Sequence, residues 1–549
     1  MIDSRERFDV VVVGGGPVGA ALTGDLARRG IRTLLIEQGD GLVKDARMHL
    51  VNIRTMEILR NYGLEQNVRQ CGWPPDHPQD VLFVTSLDGR EIGRISWPSI
   101  AAMTPPLHSP TFAQRCPQAW FNPIMLNFAR TQVASTLRMN HRFVSMSEDV
   151  HGLEVRIFDA QSAREYTVDA RYLVGCDGSR SSVRKQLGVS KVDSESIGQS
   201  AEVIFRSTDL AAKMSVGRAG RYILVTRRGM SASMLPFDGK DRYRLTLMVQ
   251  PSQTSAAQMC EEIRSLTRTE FEFELVSAVL PWVNRNVSAA RYRVGRVMLA
   301  GDAAHGMPPT GGFGMNTGMI DAFDLAWRLE AVVRGWGGGA LLDSYDSERR
   351  QAVARTSKMA SDIYRDWVRW GKELRSLDGD LEGDDASAIE RRRRVGSAMV
   401  ETFAREFNPQ GGALGYRYND SPICIPDGSR EPEDTLIHYE QSARPGHRAP
   451  HFWLANGRSS LDLFGRGFTL LASSLTASCD DFGRAFGRLR APLEIVNVGA
   501  LNALELLRAQ FVLVRPDGMV AWRSDTLPVK PDLTARTVTG NADIGTAAD

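Results

Sequence analysis

The chain has 549 residues, with 67 Lys plus Arg against 65 Asp plus Glu and a formal net charge of +2. Charge so evenly balanced gives no electrostatic footprint for nucleic acid or for an anionic membrane surface. A hydrophobic share of 42% and a charged share of 24% are ordinary for a soluble globular protein, and the length suggests about three domains, each able to bury a core.

Six cysteines (Cys71, Cys116, Cys176, Cys260, Cys424, Cys479) are scattered without a C-x-x-C pair, and the nine histidines show no zinc-type spacing. Neither a disulfide framework nor a metal centre is expected, and the sparse cysteines point to reduced thiols in a cytoplasmic protein. The apolar run 8–13 is short and ends in glycines, so it reads as a strand and not as a signal peptide. No stretch reaches the roughly 18 apolar residues of a membrane span.

In chain order, the first unit is βαβ: strand 8–13, a glycine turn, a helix through Arg29 with Gly30 as its stop, and strand 33–37. A helical segment follows at 52–61. Residues 75–115, rich in Pro, Ser and aromatics, predict irregular structure or edge strands. Strands are expected at 152–158 and 166–175, with a helix opening after Asp177. From about 200 to 250 alternation dominates, as in Tyr243-Arg244-Leu245-Thr246-Leu247-Met248-Val249, which predicts a half-exposed sheet in a separate layer. A strand returns at 294–301 and helices cover most of 314–370. The segment 371–400 is charged and helix-prone. Within it Arg391-Arg392-Arg393-Arg394 follows the acidic stretch 382–385 and reads as a solvated helix face. Strands at 468–472, 493–498 and 511–514, the last turning through Arg515-Pro516-Asp517-Gly518, predict a small α/β domain at the end.

Three strand–turn–helix junctions carry the chemistry. In Gly14-Gly15-Gly16-Pro17-Val18-Gly19, Gly14 permits the tight turn, Gly16 lets backbone approach a pyrophosphate, and Gly19 lets the helix pack against the strand. The helix N-terminus presents unpaired N–H groups and a positive dipole end to phosphate. Glu37, followed by Gln38, ends the second strand where an acid accepts from a ribose. The second junction, Gly175-Cys176-Asp177-Gly178-Ser179-Arg180, places Asp177 at a strand end. The third, Gly301-Asp302-Ala303-Ala304-His305, leads to Pro308-Pro309-Thr310-Gly311-Gly312-Phe313-Gly314-Met315-Asn316. There Asp302 can accept from a second ribose or ribityl hydroxyl, and another helix N-terminus can stabilise negative charge on a reduced cofactor ring. His305 is read as orienting its turn, and Cys176 as packing filler.

Three such junctions in this order resemble the single-component aromatic hydroxylases, FAD-dependent monooxygenases similar to para-hydroxybenzoate hydroxylase. The run from Ala46-Arg47-Met48-His49 to Arg60, and Ala443-Arg444-Pro445-Gly446-His447 further on, resemble the phenol ortho-hydroxylase branch, which includes 2-hydroxybiphenyl 3-monooxygenase and 2,4-dichlorophenol 6-monooxygenase.

The resemblance implies an α/β fold. A Rossmann-like FAD-binding domain (1–75, 116–190 and 285–370) is interleaved with a β-sheet substrate domain (76–115 and 191–284). A helical linker (371–430) then leads to a thioredoxin-like domain without redox cysteines (431–549). The resemblance also implies FAD as cofactor, NADH or NADPH as co-substrate, and a phenolic small molecule and O2 as partners, in a homodimer. The oxygen would be transferred by a flavin C4a-hydroperoxide, probed against a ring made nucleophilic by loss of its hydroxyl proton. Arg47, Gln118 and Asp302 would contact the flavin. His49 would be the base, since an imidazole titrates near neutral pH; from the residues alone a structural histidine at a helix start is the favoured reading, and the resemblance tips it to the base. Thr23, Asn122 and Asp324 depart from the family's pattern. A larger polyketide or antibiotic substrate, and a non-catalytic binding protein of the same fold, are the competing readings.

Overall fold

In the computed structural model, which describes residues 5–43, 48–193, 196, 198–248, 255–499 and 501–542, strand Arg7–Val13 lies between two parallel neighbours. Thr33–Glu37 pairs on one side and Arg164–Gly175 on the other. Val10, Val11 and Val12 are fully buried because helices cover both faces of a parallel sheet, which is why the strand reads as an unbroken apolar run. The main path of this sheet runs Arg293–Val294, Val297–Leu299, Arg164–Gly175, Arg7–Val13, Thr33–Glu37, Ser135–Met139. His141–Glu148 and Leu153–Asp159 form an antiparallel arm on Arg164–Gly175. The parallel strands Arg7–Val13, Arg164–Gly175 and Val297–Leu299 end at the same edge, so the three glycine-bearing turns that follow them are neighbours in space. That carboxyl edge is where open α/β sheets bind ligands.

The helices are set by local chemistry. Gly16 caps Pro17–Arg28, with Pro17 at the first helical position, and Gly30 (φ 77°) follows its end. The Asn52 side chain accepts from Thr55 N to open Ile53–Tyr62, and Gly63 closes that helix in the left-handed region.

The second sheet is ordered Glu274–Leu275, Gly198–Arg206, Arg242–Leu247, Gly229–Pro236, Arg221–Thr226, Val81–Val84, Glu91–Ile95. Side chains alternate across it. Ala201, Val203, Phe205, Tyr243, Leu245 and Leu247 pack with Met259, Ile263 and Leu266 of helix Ala256–Thr267. The other face carries Ser200, Glu202, Arg221, Ser233, Arg244 and Thr246. Alternation predicts this polar face as open to solvent; instead it walls an internal cavity, and Ser200, Glu202 and Ser233 are buried. Strand Glu91–Ile95 is an edge strand, covered by helix Ala386–Phe407.

The long helix Gly339–Arg375 carries helical structure past 370, and Gln410–Leu414 ends it; beyond Leu414 the expected helical linker is irregular as far as the short turn Ser460–Leu463. Within the arginine run, Arg391 donates to Asp380 O and Arg392 to Leu381 O and Gly383 O, so these two tie down the acidic loop while Arg393 pairs with Glu390 at the surface.

The last domain has a thioredoxin-like arrangement. Its sheet runs Leu493–Asn497, Phe468–Ala472, Phe511–Val514, Val520–Ser524, the first pair parallel and the rest antiparallel, with helices Ala477–Arg488, Leu501–Leu507 and Pro531–Val538. Buried ion pairs fasten it to the first domain. Arg515 donates to both oxygens of Glu348 (2.7 and 2.9 Å), and Arg328 pairs with Asp324 and Glu348. Asp324, one of the departures from the family pattern, thus has its cation partner. Thr23 is buried in helix Pro17–Arg28, and Asn122 donates to Gly15 O (3.4 Å) and Gly41 O (3.3 Å) behind the first turn. Among the described residues no helix is long and apolar enough to cross a membrane.

Candidate active site

A cavity of about 1070 Å³ runs from the first glycine turn to the polar face of the second sheet. Its cofactor end is made by backbone. Gly14 (φ 109°) and Gly19 are held by close packing: a Cβ at Gly14 would lie 2.5 Å from Cys176 O, and one at Gly19 would lie 2.0 Å from Gly14 O. Gly16 is different. A Cβ there, or at Gly178 or Gly314, meets no protein atom within 4 Å, so open space follows the backbone from turn to turn. That space fits an extended dinucleotide lying against the chain. Helix Pro17–Arg28 and helix Phe313–Arg334 both bring their N-termini to it, a favourable placement for phosphate and for an anionic ring.

The cavity brings together Gly16, Pro17, Val18, His49, Gln118, Asp302, Pro309, Gly312, Gly314 and Met315. Asp302 sits exposed in the turn Gly301–Ala303. The turn is oriented from behind: Asp321 accepts from Gly301 N (2.9 Å) and shares a 2.8 Å contact with His305 Nε2. Gln118 opens helix Gln118–Arg130 and its backbone N–H donates to Met48 O (3.0 Å).

Other expected cofactor residues are not among those lining this cavity. Glu37 accepts from Gly15 N (2.6 Å) and Gly39 N (2.8 Å), closing the first turn, with Gln38 exposed beside it. Asp177 accepts from Ser182 N (2.6 Å) and Val183 N (3.1 Å) at the start of helix Ser182–Gln186. Asn316 donates to Leu50 O (3.1 Å) and Gly312 O (2.7 Å) and accepts from Asn52 N (2.9 Å), bracing the third turn against the His49 segment. Arg47 lies outside the described residues. Burial pushes the Cys176 thiol well up, which suits packing more than reaction.

His49 lies at the other end. The short ribbon Leu50–Val51 with Gln114–Arg115 sets Arg115 beside it, and Cys116 N donates to His49 O (2.9 Å). Arg115 Nη1 is 3.1 Å from His49 Nδ1. A guanidinium can only donate, so Nδ1 accepts and the neutral ring carries its proton on Nε2. Nε2 has no hydrogen-bond partner in the protein. Trp73 meets the ring edge-on at 5.1 Å and Phe237 stacks at 5.9 Å, leaving His49 only 5% exposed. Burial, then the charges of Arg115, Arg244 and Arg221, hold the imidazole well below its usual pKa, so it is neutral at physiological pH.

Sequence reasoning passed over Arg115, Arg221, Arg244, Glu202 and Gln79, all on the cavity wall. Arg115 Nε donates to Gln79 Oε1 (2.5 Å), and Arg221 Nη1 lies 3.4 Å from Ser233 Oγ. Arg244 stands 3.7 Å from Glu202. The available signal was the spacing of charged residues at alternate strand positions, which places Glu202 and Arg244 on one face.

Residues 7–360 match the family described as FAD binding domain, and residues 442–541 match the aromatic-ring hydroxylase C-terminal family. Tetracenomycin A2 monooxygenase-dioxygenase of Streptomyces glaucescens is 31% identical, over 96% of this chain and 95% of that protein. The 2,4-dichlorophenol 6-monooxygenase of Delftia acidovorans is 30% identical, over 94% of each. Among solved structures, the rebeccamycin biosynthetic enzyme RebC with reduced flavin superposes with a TM-score of 0.90 at 35% identity, covering 98% of this chain and all of that one (100%). Similarity therefore spans both domains and the cavity between the glycine turns and the second sheet, and the chain belongs to the FAD-binding aromatic-ring hydroxylases, as a flavin-dependent aromatic monooxygenase with FAD as its cofactor.

Proposed function

We propose that the enzyme hydroxylates a phenolic ring ortho to its hydroxyl, with NADH or NADPH as reductant. Bound FAD supplies the electrophilic oxygen atom, drawn from O2. The observation that carries this reading is the unpartnered Nε2 of His49, buried in the cavity wall.

The substrate oxygen lies against that nitrogen. Ionisation of the ring hydroxyl is favoured there by the Nε2–H donor and by the positive field of Arg115, Arg221 and Arg244. For the same histidine to act as the general base, its proton must first move to Nδ1, where it would face the Arg115 N–H, an arrangement that Arg115 opposes. His49 thus works chiefly by holding the phenolate. Asp302 and the two helix N-termini hold the cofactor, and Gln118 lies between the cofactor and the His49 segment.

A second reading, a fused polycyclic phenol of polyketide type, is favoured by the tetracenomycin relative. A panel running from simple phenols to polycyclic ones, scored by substrate-stimulated NAD(P)H oxidation and by product mass, tests both. Oxygen insertion into members of the panel supports hydroxylation and shows which size is preferred; NAD(P)H oxidation without a mass gain in any product would overturn it.

A further inference from the structure

Two of the six thiols meet, although they stand on separate segments of the chain. Cys71 follows helix Glu65–Arg69, just before Gly72 (φ 105°) and Trp73, and is half-buried. Cys116 follows the ribbon strand Gln114–Arg115 and is fully buried. Both are free thiols packed into the core of the first domain. Cys71 Sγ lies 3.5 Å from Arg115 O, and the Cys116 thiol donates to the Cys71 sulfur.

The two sulfurs are not equivalent. That of Cys71 accepts from the Cys116 thiol, and also from Trp73 N–H and the Gln114 side chain, which together lower its pKa to about 7 against the opposing effect of burial. Cys116 is pushed well up, first by the same contact and then by burial, so it keeps its proton. One sulfur is thus partly exposed and held ready as thiolate, and a protonated one rests against it away from water. Stepwise oxidation needs this division: the first thiol must be anionic and reachable, and the second need only be in contact. An oxidant is at hand, because a flavin enzyme that reduces O2 without transferring the oxygen releases hydrogen peroxide.

We propose that Cys71 and Cys116 are a peroxide-responsive pair that closes to a disulfide and so slows the enzyme. The Cys71 thiolate attacks one oxygen of hydrogen peroxide, the O–O bond breaks, and a sulfenic acid and hydroxide result. Cys116 gives up its proton and attacks the Cys71 sulfur, expelling the second hydroxide as the S–S bond forms. Two electrons pass from the sulfurs to the peroxide, which leaves as water and hydroxide. An S–S bond of about 2 Å is shorter than any thiol–thiol contact, so closure draws the Trp73 turn and the ribbon together. Trp73 meets the His49 ring edge-on, Arg115 holds its Nδ1, and Cys116 N donates to its backbone carbonyl. All three neighbours of His49 move with the bond, and a shift of about 1 Å at a reacting group can cost on the order of a hundredfold in rate. The thiol chemistry is independent of the hydroxylase reading; the loss of rate rests on it.

The test treats reduced, FAD-loaded enzyme with sub-millimolar hydrogen peroxide and maps its cysteines by peptide mass. The Cys71 and Cys116 peptides are expected joined, with the loss of two hydrogens, and separated again by dithiothreitol. In Cys116→Ser the reaction should stop at the sulfenic acid of Cys71, trapped by dimedone; in Cys71→Ser, Cys116 should stay a thiol. Both thiols intact in the peroxide-treated wild type overturn the proposal, as does Cys71 oxidised without joining Cys116. Product formation is followed with whichever phenol of the panel is hydroxylated fastest. It should fall about tenfold or more on oxidation and return with dithiothreitol, whereas Cys71→Ser should keep its rate through the same treatment. A disulfide that leaves the rate unchanged, or an equal loss in Cys71→Ser, overturns the coupling to His49. The wild-type peptide map decides the thiol chemistry even if a variant misfolds or no phenol of the panel turns over.

Discussion

Replacing His49 by Ala and by Gln separates a donor from a base. In the folded protein Arg115 fixes the tautomer, and the Nε2–H is left without a hydrogen-bond partner in the protein. Its loss removes one hydrogen bond to a developing phenolate, worth about 1.5–3 kcal/mol. At roughly 1.4 kcal/mol per factor of ten, His49→Ala should slow hydroxylation about 10- to 150-fold. A lost general base would cost about a hundred- to ten-thousand-fold. Gln supplies an N–H donor but no basic nitrogen, so His49→Gln should recover much of the Ala deficit. Because the ring is already held neutral, the wild-type hydroxylation rate should show no histidine titration near neutral pH. Raising the pH, or using a more acidic phenol, should narrow the gap between variants, since an ionised substrate needs less help. The assay is single-turnover: enzyme reduced without oxygen, mixed with O2 and substrate, and quenched for product. FAD content and substrate binding are measured alongside. If His49→Gln is as slow as His49→Ala, with a loss at the upper end of the base range, the donor argument is refuted and the imidazole takes the proton itself.

Gly16→Val should fold normally yet purify without FAD, because its Cβ meets no protein atom and fills only the space along the backbone; the ratio of flavin to protein absorbance, read with far-UV circular dichroism, checks both halves, and full occupancy would refute the cofactor path. Asp302→Ala should weaken FAD by about 1–3 kcal/mol through an unpaired hydroxyl, measured by titrating the apoprotein; unchanged affinity removes Asp302 from the site. Acidification should destabilise the fold through its buried histidines. His77 and His451 are pressed down to about 4 and His447 to about 3, in each case mainly by burial. Below the unfolded value of about 6.5 the unfolded chain binds more protons than the folded one, so stability is lost as pH falls from about 6.5 toward 4. Denaturant midpoints at several pH values test the sign, and a midpoint that stays flat or rises across that window contradicts it.

The cofactor half of the site is legible in the sequence because its function is performed by backbone geometry, and only glycine tolerates the contacts found at Gly14 and Gly19. The order of the three turns along the chain is likewise enough to place Gly16, Asp302 and Gly312 on one cavity. The substrate half is less legible. Alternation at Arg244 and Thr246 reveals a strand with one polar face, but it has the same form whether that face meets bulk water or an enclosed space. Arg115 is hidden for a different reason: its partners His49 and Gln79 are distant in sequence and meet it only through folding. Asp324 looks like an isolated departure until Arg328 and Arg515 are seen beside it. The irregular segment beyond Leu414 carries no periodicity from which a helical linker could have been rejected.

The two-faced substrate sheet also bears on how such an enzyme changes its diet. Residues that hold the sheet to helix Ala256–Thr267 alternate with residues that line the cavity. Ser200, Glu202, Ser233, Arg244 and Thr246 can therefore be exchanged while Ala201, Val203, Met234 and Leu245 keep the architecture intact. Selection can rewrite the chemistry of that panel one side chain at a time, with the oxygen-activating machinery on the other sheet left as it was. Variation among descendants should gather on alternate positions of these strands, and a library confined to them is the shortest route to a new aromatic substrate.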